Sequence, residues 1–576
     1  MPLKKIQVFV LLTASFFLSI SCKQKKELSL TDGSFIGKGA GRNGPIEVEV
    51  TIQDKKIQSA KIKKEEETPD IGLPAEQIIL DSFVKNGGQT NKIDVISGAT
   101  ITSNAVITAL NSALDSSNSI IKAETVYADS ECDIVIIGAG GAGLTAATEA
   151  ASKGARVIVL EKLGYPGGNT SSSTGGLNAS GTLEQKIAGI TDSNEQFFED
   201  TMKGGHYKND EALVHTLVDN SAAIVEWLKA KPVSADLSDV GLMGGSTNRR
   251  THRPVGGQAI GVHLVPKLYD AAKRSGAEIR LNNTVTDILK EGDAAVGVTV
   301  RNDAGTYTIR SKAVIIATGG FGANPQMIGK YRPELQNFPT TNVPGTTGDA
   351  FAWVEKFDAQ LNLMSEIQIH PSVLPGKGIL ITEAVRGNGA IMITKTGRRF
   401  VNELETRDFT SKAILDLPEK SAYIFFDEDI RKSLKAIDSY YKAGYLISSD
   451  TLVNIAAKLG INAGILINTI KEYNAAQSCG IDTEFGRKDM ARPILTPPFY
   501  AVEIEPAIHH TMGGILINTK AEVQTKSGNS VPGLYAAGEV TGGVHGDNRL
   551  GGNAIADITT FGKIAADSAL EYIASK

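Results

Sequence analysis

The stretch from Cys132 to Gly168 constrains this chain most, because its residues read in order as a strand, a tight glycine turn and a helix. Asp133-Ile-Val-Ile-Ile137 is an apolar run of strand type, and Gly138-Ala139-Gly140-Gly-Ala142-Gly143 sets a G-x-G-x-x-G spacing directly behind it. Glycines at those places let backbone N–H groups and a helix N-terminus approach a pyrophosphate. Leu144 to Lys153 continues as an alanine-rich helix that Gly154 stops, and Arg156 to Leu160 is the next strand. That strand leads into Glu161, 18 residues past Gly143, where an acid suits a ribose hydroxyl. A lone glycine motif is also compatible with an ordinary tight βα turn, but strand, helix, second strand and acid in this order point to dinucleotide binding.

The residues after Glu161 narrow the choice of dinucleotide. Lys162-Leu-Gly-Tyr-Pro-Gly-Gly168-Asn169-Thr170 and Ser171-Ser-Ser-Thr-Gly175-Gly176 form a long Gly/Ser/Thr stretch, able to lie against a flat ring system. This resembles the FAD-binding fingerprint of the fumarate reductase and succinate dehydrogenase flavoprotein family. Ala313-Val-Ile-Ile-Ala-Thr318-Gly319-Gly320 and Gly533-Leu-Tyr-Ala-Ala-Gly-Glu539 resemble the places where that family's chain returns to its cofactor. The resemblance implies non-covalent FAD held by these residues together with Asp349, His510, Ala554 and Ile555.

At 576 residues the chain exceeds one ordinary core, so two to four domains are expected. A formal charge of -5 offers no basic face for nucleic acid. The three cysteines, Cys22, Cys132 and Cys479, have neither c-haem nor iron–sulfur spacing, and no metal site is expected. Electrons must arrive by another carrier.

Lys4 and Lys5, the apolar run Ile6 to Ile20 and then Cys22 suit a secretory leader (residues 1–21) rather than a membrane span. Leu18-Ser-Ile-Ser-Cys22 resembles a bacterial lipoprotein cleavage site, which implies lipidation of Cys22 and a place outside the cytoplasm, periplasmic or on the cell surface. Residues 30–120 alternate as strands in Ile46 to Ile52 and Lys56 to Ile62, then turn helical at Ala75 to Phe83. Asp94-Val-Ile-Ser-Gly-Ala-Thr100, followed by the apolar helix Ala105 to Leu114, resembles the covalent FMN-binding domain of sodium-pumping and related redox complexes, as does Gly41-Arg-Asn-Gly-Pro45. The resemblance implies FMN on Thr100, joined through a phosphoester bond by a separate flavin transferase. The local alternative is a serine or threonine N-cap before a helix.

His370, His509, Arg407 and Arg549, with the Thr382 hydroxyl, form an inventory able to bind two carboxylates from opposite ends by charge-assisted hydrogen bonds. The stretches that hold them, from Gln368-Ile-His370 through Arg407-Asp408, Ala507-Ile-His509-His510 and Arg549 to Ala554, resemble flavocytochrome c type fumarate reductases in order and spacing. That resemblance implies that His370 and Thr382 hold one carboxylate and His509 and Arg549 the other. It makes His510 face the flavin, and Arg407 donate a proton supplied through Glu383 and Arg386. Read alone, Glu383, Arg386 and Arg407 are equally a structural ion-pair network. Leu380 stands where fumarate enzymes commonly have methionine, and Ile369 and Ala384 offer nothing polar to the imidazole of urocanate, whose reductases share this architecture.

The expected protein is thus α/β: a small α+β FMN domain (30–120), a Rossmann-like FAD domain in two parts (130–364 and 506–576), and an inserted α+β cap (365–505). Expected partners are a small carboxylic acid and an electron donor protein or membrane quinol dehydrogenase. Fumarate reduction to succinate is the expected activity. Urocanate or acrylate reduction, succinate oxidation and a tethered flavin carrier without substrate are the alternatives.

Overall fold

The computed structural model describes residues 30–40, 45–65, 72–90, 93, 96, 99–117 and 127–576. The leader, Cys22, Gly41 to Gly44, Asp94, Ser97, Gly98 and residues 118–126 lie outside the described residues, as does the side chain of Thr100.

The N-terminal unit is an antiparallel sheet of β1 (Gly33–Ala40), β2 (Pro45–Gln53) and β3 (Lys56–Lys64), covered by α1 (Gly72–Lys85) and α2 (Thr100–Ser117). Strict alternation puts Ile46, Val48, Val50 and Ile52 in its core while Glu47 and Glu49 pair outside with Lys38, Lys61 and Lys63. Gly37 and Gly39 let α2 lie directly on β1, since a Cβ on either would stand 1.9–2.0 Å from the Ala109 and Ala105 carbonyls. Helix α2 begins five residues before the expected Ala105, because its first turn is polar and escapes an apolar periodicity; Ser103 there donates its backbone N–H to Ala99.

The second unit opens with β4 (Ser130–Ile137), α3 (Gly141–Ser152) and β5 (Val157–Leu160), the order read from the glycine stretch. Next come α4 (Glu211–Lys229), α5 (Ile260–Arg274), β6 (Glu278–Arg280), β7 (Ala294–Asn302) and β8 (Gly305–Ile316). The chain then leaves through β9 (Ile367–Val373) into β10 (Ile391–Ile393), α6 (Arg407–Leu415) and β11 (Ala422–Asp427), and returns along β12 (Phe499–Thr511) to β13 (Ser530–Ala536) and α7 (Asn553–Ala574).

Strands β6, β5, β4, β8 and β13 lie parallel in that order, so the ends of β4, β5 and β8 open on one edge. A sheet covered on both faces favours continuous apolar strands, which is why Ile134 to Ile137 are all buried. Small residues let α7 cross α3 closely: a Cβ on Gly562 would come 2.7 Å from the Ala142 carbonyl.

The cap sheet is antiparallel, β9-β12-β11-β10, around a separate core that includes Phe425, Phe426, Tyr473 and Val502. Ala75 and Ala99 of the N-terminal unit pack into this core. Strand β12 serves both larger units, with Val502 and Ile504 in the cap core and Ile508 in the core of the parallel sheet. The expected junction at 505/506 therefore lies inside one uninterrupted strand.

Candidate active site

Two cavities run together along the edge of the parallel sheet, sharing Asn169, Thr170, Glu539 and Ile558 in their walls. The smaller, of ≈ 100 Å³, is lined by Gly138, Gly140 and Ala142 at the β4–α3 turn, Glu161 and Lys162 after β5, Gly168, Thr318 and Gly319 after β8, and Asp349. Gly138 has a φ of +105°, and a Cβ there would stand 2.4 Å from the Ala317 carbonyl. At Gly140 a Cβ would meet nothing nearer than 3.9 Å; the Thr170 hydroxyl accepts the Gly141 N–H at 3.2 Å, and the N-terminus of α3 lines the cradle through Gly140, Gly141 and Ala142. Lys162 is fixed by Asp349 at 2.7 Å and Thr347 at 2.6 Å.

Glu161 is buried, and its two oxygens accept the backbone N–H groups of Ala139 and Leu163, both at 2.9 Å. Burial pushes its carboxyl up. Two expected cofactor residues do not face the cavity. Ala139 is fully buried with its N–H spent on Glu161, and Gly143 is a packing glycine whose Cβ would lie 1.9 Å from the Gly138 carbonyl. Asn283 and Trp353 line the cradle, and neither stands in a motif or a periodic pattern that could have singled it out.

The larger cavity, ≈ 170 Å³, gathers Gly175, Gly176, His510, Glu539, Ala554 and Ile555 with His370, Thr382, Glu383, Arg407, His509 and Arg549. Ala99 and Thr102, either side of Thr100, also line it. A cradle of backbone donors leading to a glycine-floored groove fits an elongated dinucleotide whose flat ring lies beside the histidines and arginines.

Arg407 opens α6, which packs on β9 through the Ser411 hydroxyl, a donor to the Ile369 carbonyl. Its Nε and Nη2 donate to the two oxygens of Glu383 at 3.1 and 2.7 Å, and its Nη1 donates to the Gln368 amide oxygen at 3.0 Å. A guanidinium carries five N–H donors, so two remain for whatever enters. Arg386 lies behind this pair, fully buried, with Nη2 on Glu383 at 3.3 Å and Nη1 on the Glu403 carbonyl at 2.6 Å. Burial alone would raise the Glu383 carboxyl, but Arg407, Arg386 and Arg549 hold it at about 2. Burial, reinforced by Arg407, brings Arg549 down to about 9.

His370 accepts the Ser372 backbone N–H on Nδ1 at 3.1 Å, which leaves the proton on Nε2. That Nε2 is buried without a protein partner. The Nδ1 of His509 shares a hydrogen bond of 2.7 Å with the Thr341 hydroxyl. Burial, and then the neighbouring guanidiniums, push His370 and His509 well below the usual histidine range; His510 is lowered by burial and by Arg549.

Three expectations change. The histidines are neutral donors, so charge assistance comes from the arginines alone. His370 and His509 stand ring to ring at 5.0 Å, so the two carboxylate grips share a wall instead of facing across the site. Ile369 and Ala384 do not line the cavity: Ile369 packs toward the parallel-sheet core and Ala384 is buried in the cap core. The apolar wall consists of Leu380, Ile379, Met243 and Val262.

The remaining histidines sit apart from this cavity's lining. His252 is buried between Thr182 and the Arg250 carbonyl, His215 stacks on Phe198, His206 pairs with Asp547 at 2.6 Å, and His263 is half-buried on α5. No group of three candidate ligands able to hold a metal occurs among the described residues.

The sequence profile of the FAD binding domain matches residues 133–555, and that of the FMN-binding domain matches residues 41–115. Fumarate reductase (cytochrome) of Shewanella frigidimarina is 47% identical over 442 residues, 76% of this chain and 77% of its own. Urocanate reductase of Eggerthella lenta is 33% identical over 580 residues, 95% of each chain. Among solved structures, the open conformation of a flavocytochrome c3 fumarate reductase superposes with a TM-score of 0.64 at 42% identity, covering 77% of this chain and 79% of that one.

Proposed function

Because this chain belongs to the FAD-binding family of fumarate reductase and succinate dehydrogenase flavoproteins and carries an FMN-binding domain, we propose that it reduces fumarate to succinate. The observation that carries the reading is Arg407, held on two sides by Glu383 and on a third by Gln368, in the same cavity lining as His370, whose Nε2 has no protein partner. The α3 cradle, Lys162, Asp349 and the Gly175–Gly176 floor would hold FAD, which when bound supplies hydride to one carbon of the double bond.

His370 and Thr382 hold one carboxylate, while His509 and Arg549 hold the other, fixing the double bond in one place. Arg407 delivers a proton to the second carbon. An arginine is a poor acid in water, yet here its acceptor is a developing carbanion and Glu383 lies 2.7 Å away to return the proton. Glu383 is ionised at rest, as its position among three guanidiniums favours, and holds the proton only in transit to Arg407. Arg386, buried behind it, fixes the carboxylate and passes protons toward it.

The full-length coverage of the urocanate reductase relative favours a second reading, reduction of urocanate. Against it, Glu383 and Glu539 are the acids lining the cavity, and both are engaged, which leaves an imidazole substrate without a free carboxylate partner. Oxidation of reduced viologen by the holoprotein, offered fumarate and urocanate separately, decides between them. Fast turnover with fumarate alone is expected; turnover with urocanate alone overturns the assignment.

We also infer that FMN is joined to Thr100 through a phosphoester bond made by a flavin transferase, and that Cys22 is lipidated on an exported protein drawing electrons from a donor protein or membrane quinol dehydrogenase. The Asp94 to Thr100 pattern and the nearness of Ala99 and Thr102 to the cavity support the first; the leader and Cys22 support the second. Flavin fluorescence on the denatured Thr100→Ala chain would contradict the first, and a purely cytoplasmic protein the second.

A further inference from the structure

The segment that brings Leu380 and Thr382 into the cavity wall makes only an isolated bridge to β9, Val373 with Leu380, and its backbone is held from two sides. On one side the Ile381 N–H donates to the Ser372 carbonyl at 2.8 Å, while the Ser372 N–H donates to His370 Nδ1. One residue of β9 thus ties the segment of Thr382 to the ring of His370. On the other side stands the Tyr440 hydroxyl, which accepts the Thr382 N–H at 3.1 Å and donates to the Leu380 carbonyl at 3.2 Å.

Tyr440 comes from the cap helix Lys435–Lys442, whose Ala436, Ile437 and Tyr440 recur at helical spacing and are buried. Its side chain lies in the cap core and is absent from the cavity lining. Ile381 is buried in the same core, between two residues that face the cavity. A hydroxyl donates one proton and also accepts, so this single group satisfies two backbone groups at once. Burial pushes the phenol up to about 12, which keeps it a donor through neutral pH. The Thr382 hydroxyl itself is loosely held, donating to the Thr174 carbonyl and accepting the Ala384 N–H, each at 3.4 Å, so a carboxylate oxygen can take it over.

We propose that Tyr440 is a positioning residue for substrate: its hydroxyl clamps the Leu380–Thr382 segment against β9 and so fixes where Thr382 meets a carboxylate. The inference rests on the reading of Thr382 and His370 as one carboxylate grip of a fumarate reductase. Tyr440 acts through the Thr382 backbone.

The test uses the full chain loaded with FAD and driven by reduced viologen. Tyr440→Phe removes the hydroxyl and keeps the ring in the core. It is expected to raise the fumarate KM roughly three- to tenfold, the worth of one hydrogen bond, with kcat within about twofold, because a grip present before and during the reaction contributes uniform binding. In a Thr382→Val background, where the gripping hydroxyl is already gone, Tyr440→Phe is expected to add less than about twofold to KM. Tyr500→Phe is the control: its hydroxyl lies in the same core and donates to Glu428, which does not line the cavity. That variant is expected to lose stability and keep the parental KM.

A parental KM in Tyr440→Phe overturns the proposal, as does a fall in kcat at constant KM. An undiminished effect in the Thr382→Val background, or an equal rise in Tyr500→Phe, shows general loosening of the cap and overturns it as well. A parent that reduces urocanate and not fumarate sinks the fumarate reading, while the same comparison of KM and kcat made with urocanate still decides the role of Tyr440.

Discussion

Two arginine–carboxylate clusters lie back to back in this molecule, and their difference separates a structural network from a working one. In the cap, Arg399 and Arg487 face Glu403 and Asp482, two cations against two anions. Every nitrogen of Arg487 is bonded: Nε to the Asp489 carbonyl, Nη1 to Glu403 and the Ala390 carbonyl, Nη2 to the Arg386 carbonyl. Beside it, Arg407, Arg386 and Arg549 surround Glu383, the other acid of the lining being Glu539, whose carboxyl is pushed up by burial, and the Nε atoms of Arg386 and Arg549 and the Nε2 of His370 are buried without a protein partner. The first cluster is closed and balanced. The second holds surplus positive charge and unspent donors next to a cavity, which is what a dianionic substrate requires.

The contrast breaks most sharply at Arg407. Arg407→Ala should lower fumarate turnover by roughly 100- to 10,000-fold, the range of a lost general acid, while FAD stays bound. Stability should fall little, since Arg386 still pairs with Glu383. Steady-state kinetics beside a flavin spectrum check it, and near-parental turnover would remove Arg407 as proton donor. Glu403→Gln should do the reverse, costing ~3–5 kcal/mol in denaturant unfolding because it leaves the buried Arg487 guanidinium without its carboxylate while Arg399 keeps Asp482, with turnover per folded molecule preserved. A smaller effect belongs to the apolar wall: Leu380→Met conserves volume, so the fumarate KM should move by less than about tenfold, within the ~1.5 kcal/mol of such exchanges. A collapse of kcat there would mean that Leu380 shapes the reacting geometry itself.

The sequence made the cofactor cradle legible because its constraints are local: Gly138 needs its positive φ and Gly140 its open space whatever the rest of the fold does. The arginines and histidines were legible from motif spacing. Their supports were not, because those are tertiary: Thr341 meets His509 across 168 residues, and Gln368 donates to Asn548 across 180. The outward turn of Ile369 is legible too. Side chains alternate along a strand, and Ile369 turns away from the cavity that His370 enters, whereas on β12, where the ladder skips His509, the neighbours His509 and His510 both line it. The shared wall of His370 and His509 comes from the β9–β12 register, where His370 lies opposite Ala507, and no single-chain pattern encodes that register.

Strands β9 and β12 are neighbours in one ladder, with Ile367 paired to Thr511 and Val373 to Glu505. The cap therefore leaves and re-enters between two points one strand-spacing apart, so from the standpoint of the FAD unit residues 374–498 amount to a single very long surface loop. Lengthening such a loop costs chain entropy only logarithmically. His370 and His509 grow from the stems of that loop, whereas Arg407 and Glu383 ride within it. The grip on the carboxylates is thus inherited with the flavin scaffold, and the proton donor belongs to the insert, so a lineage can rebuild one half of the chemistry without disturbing the other.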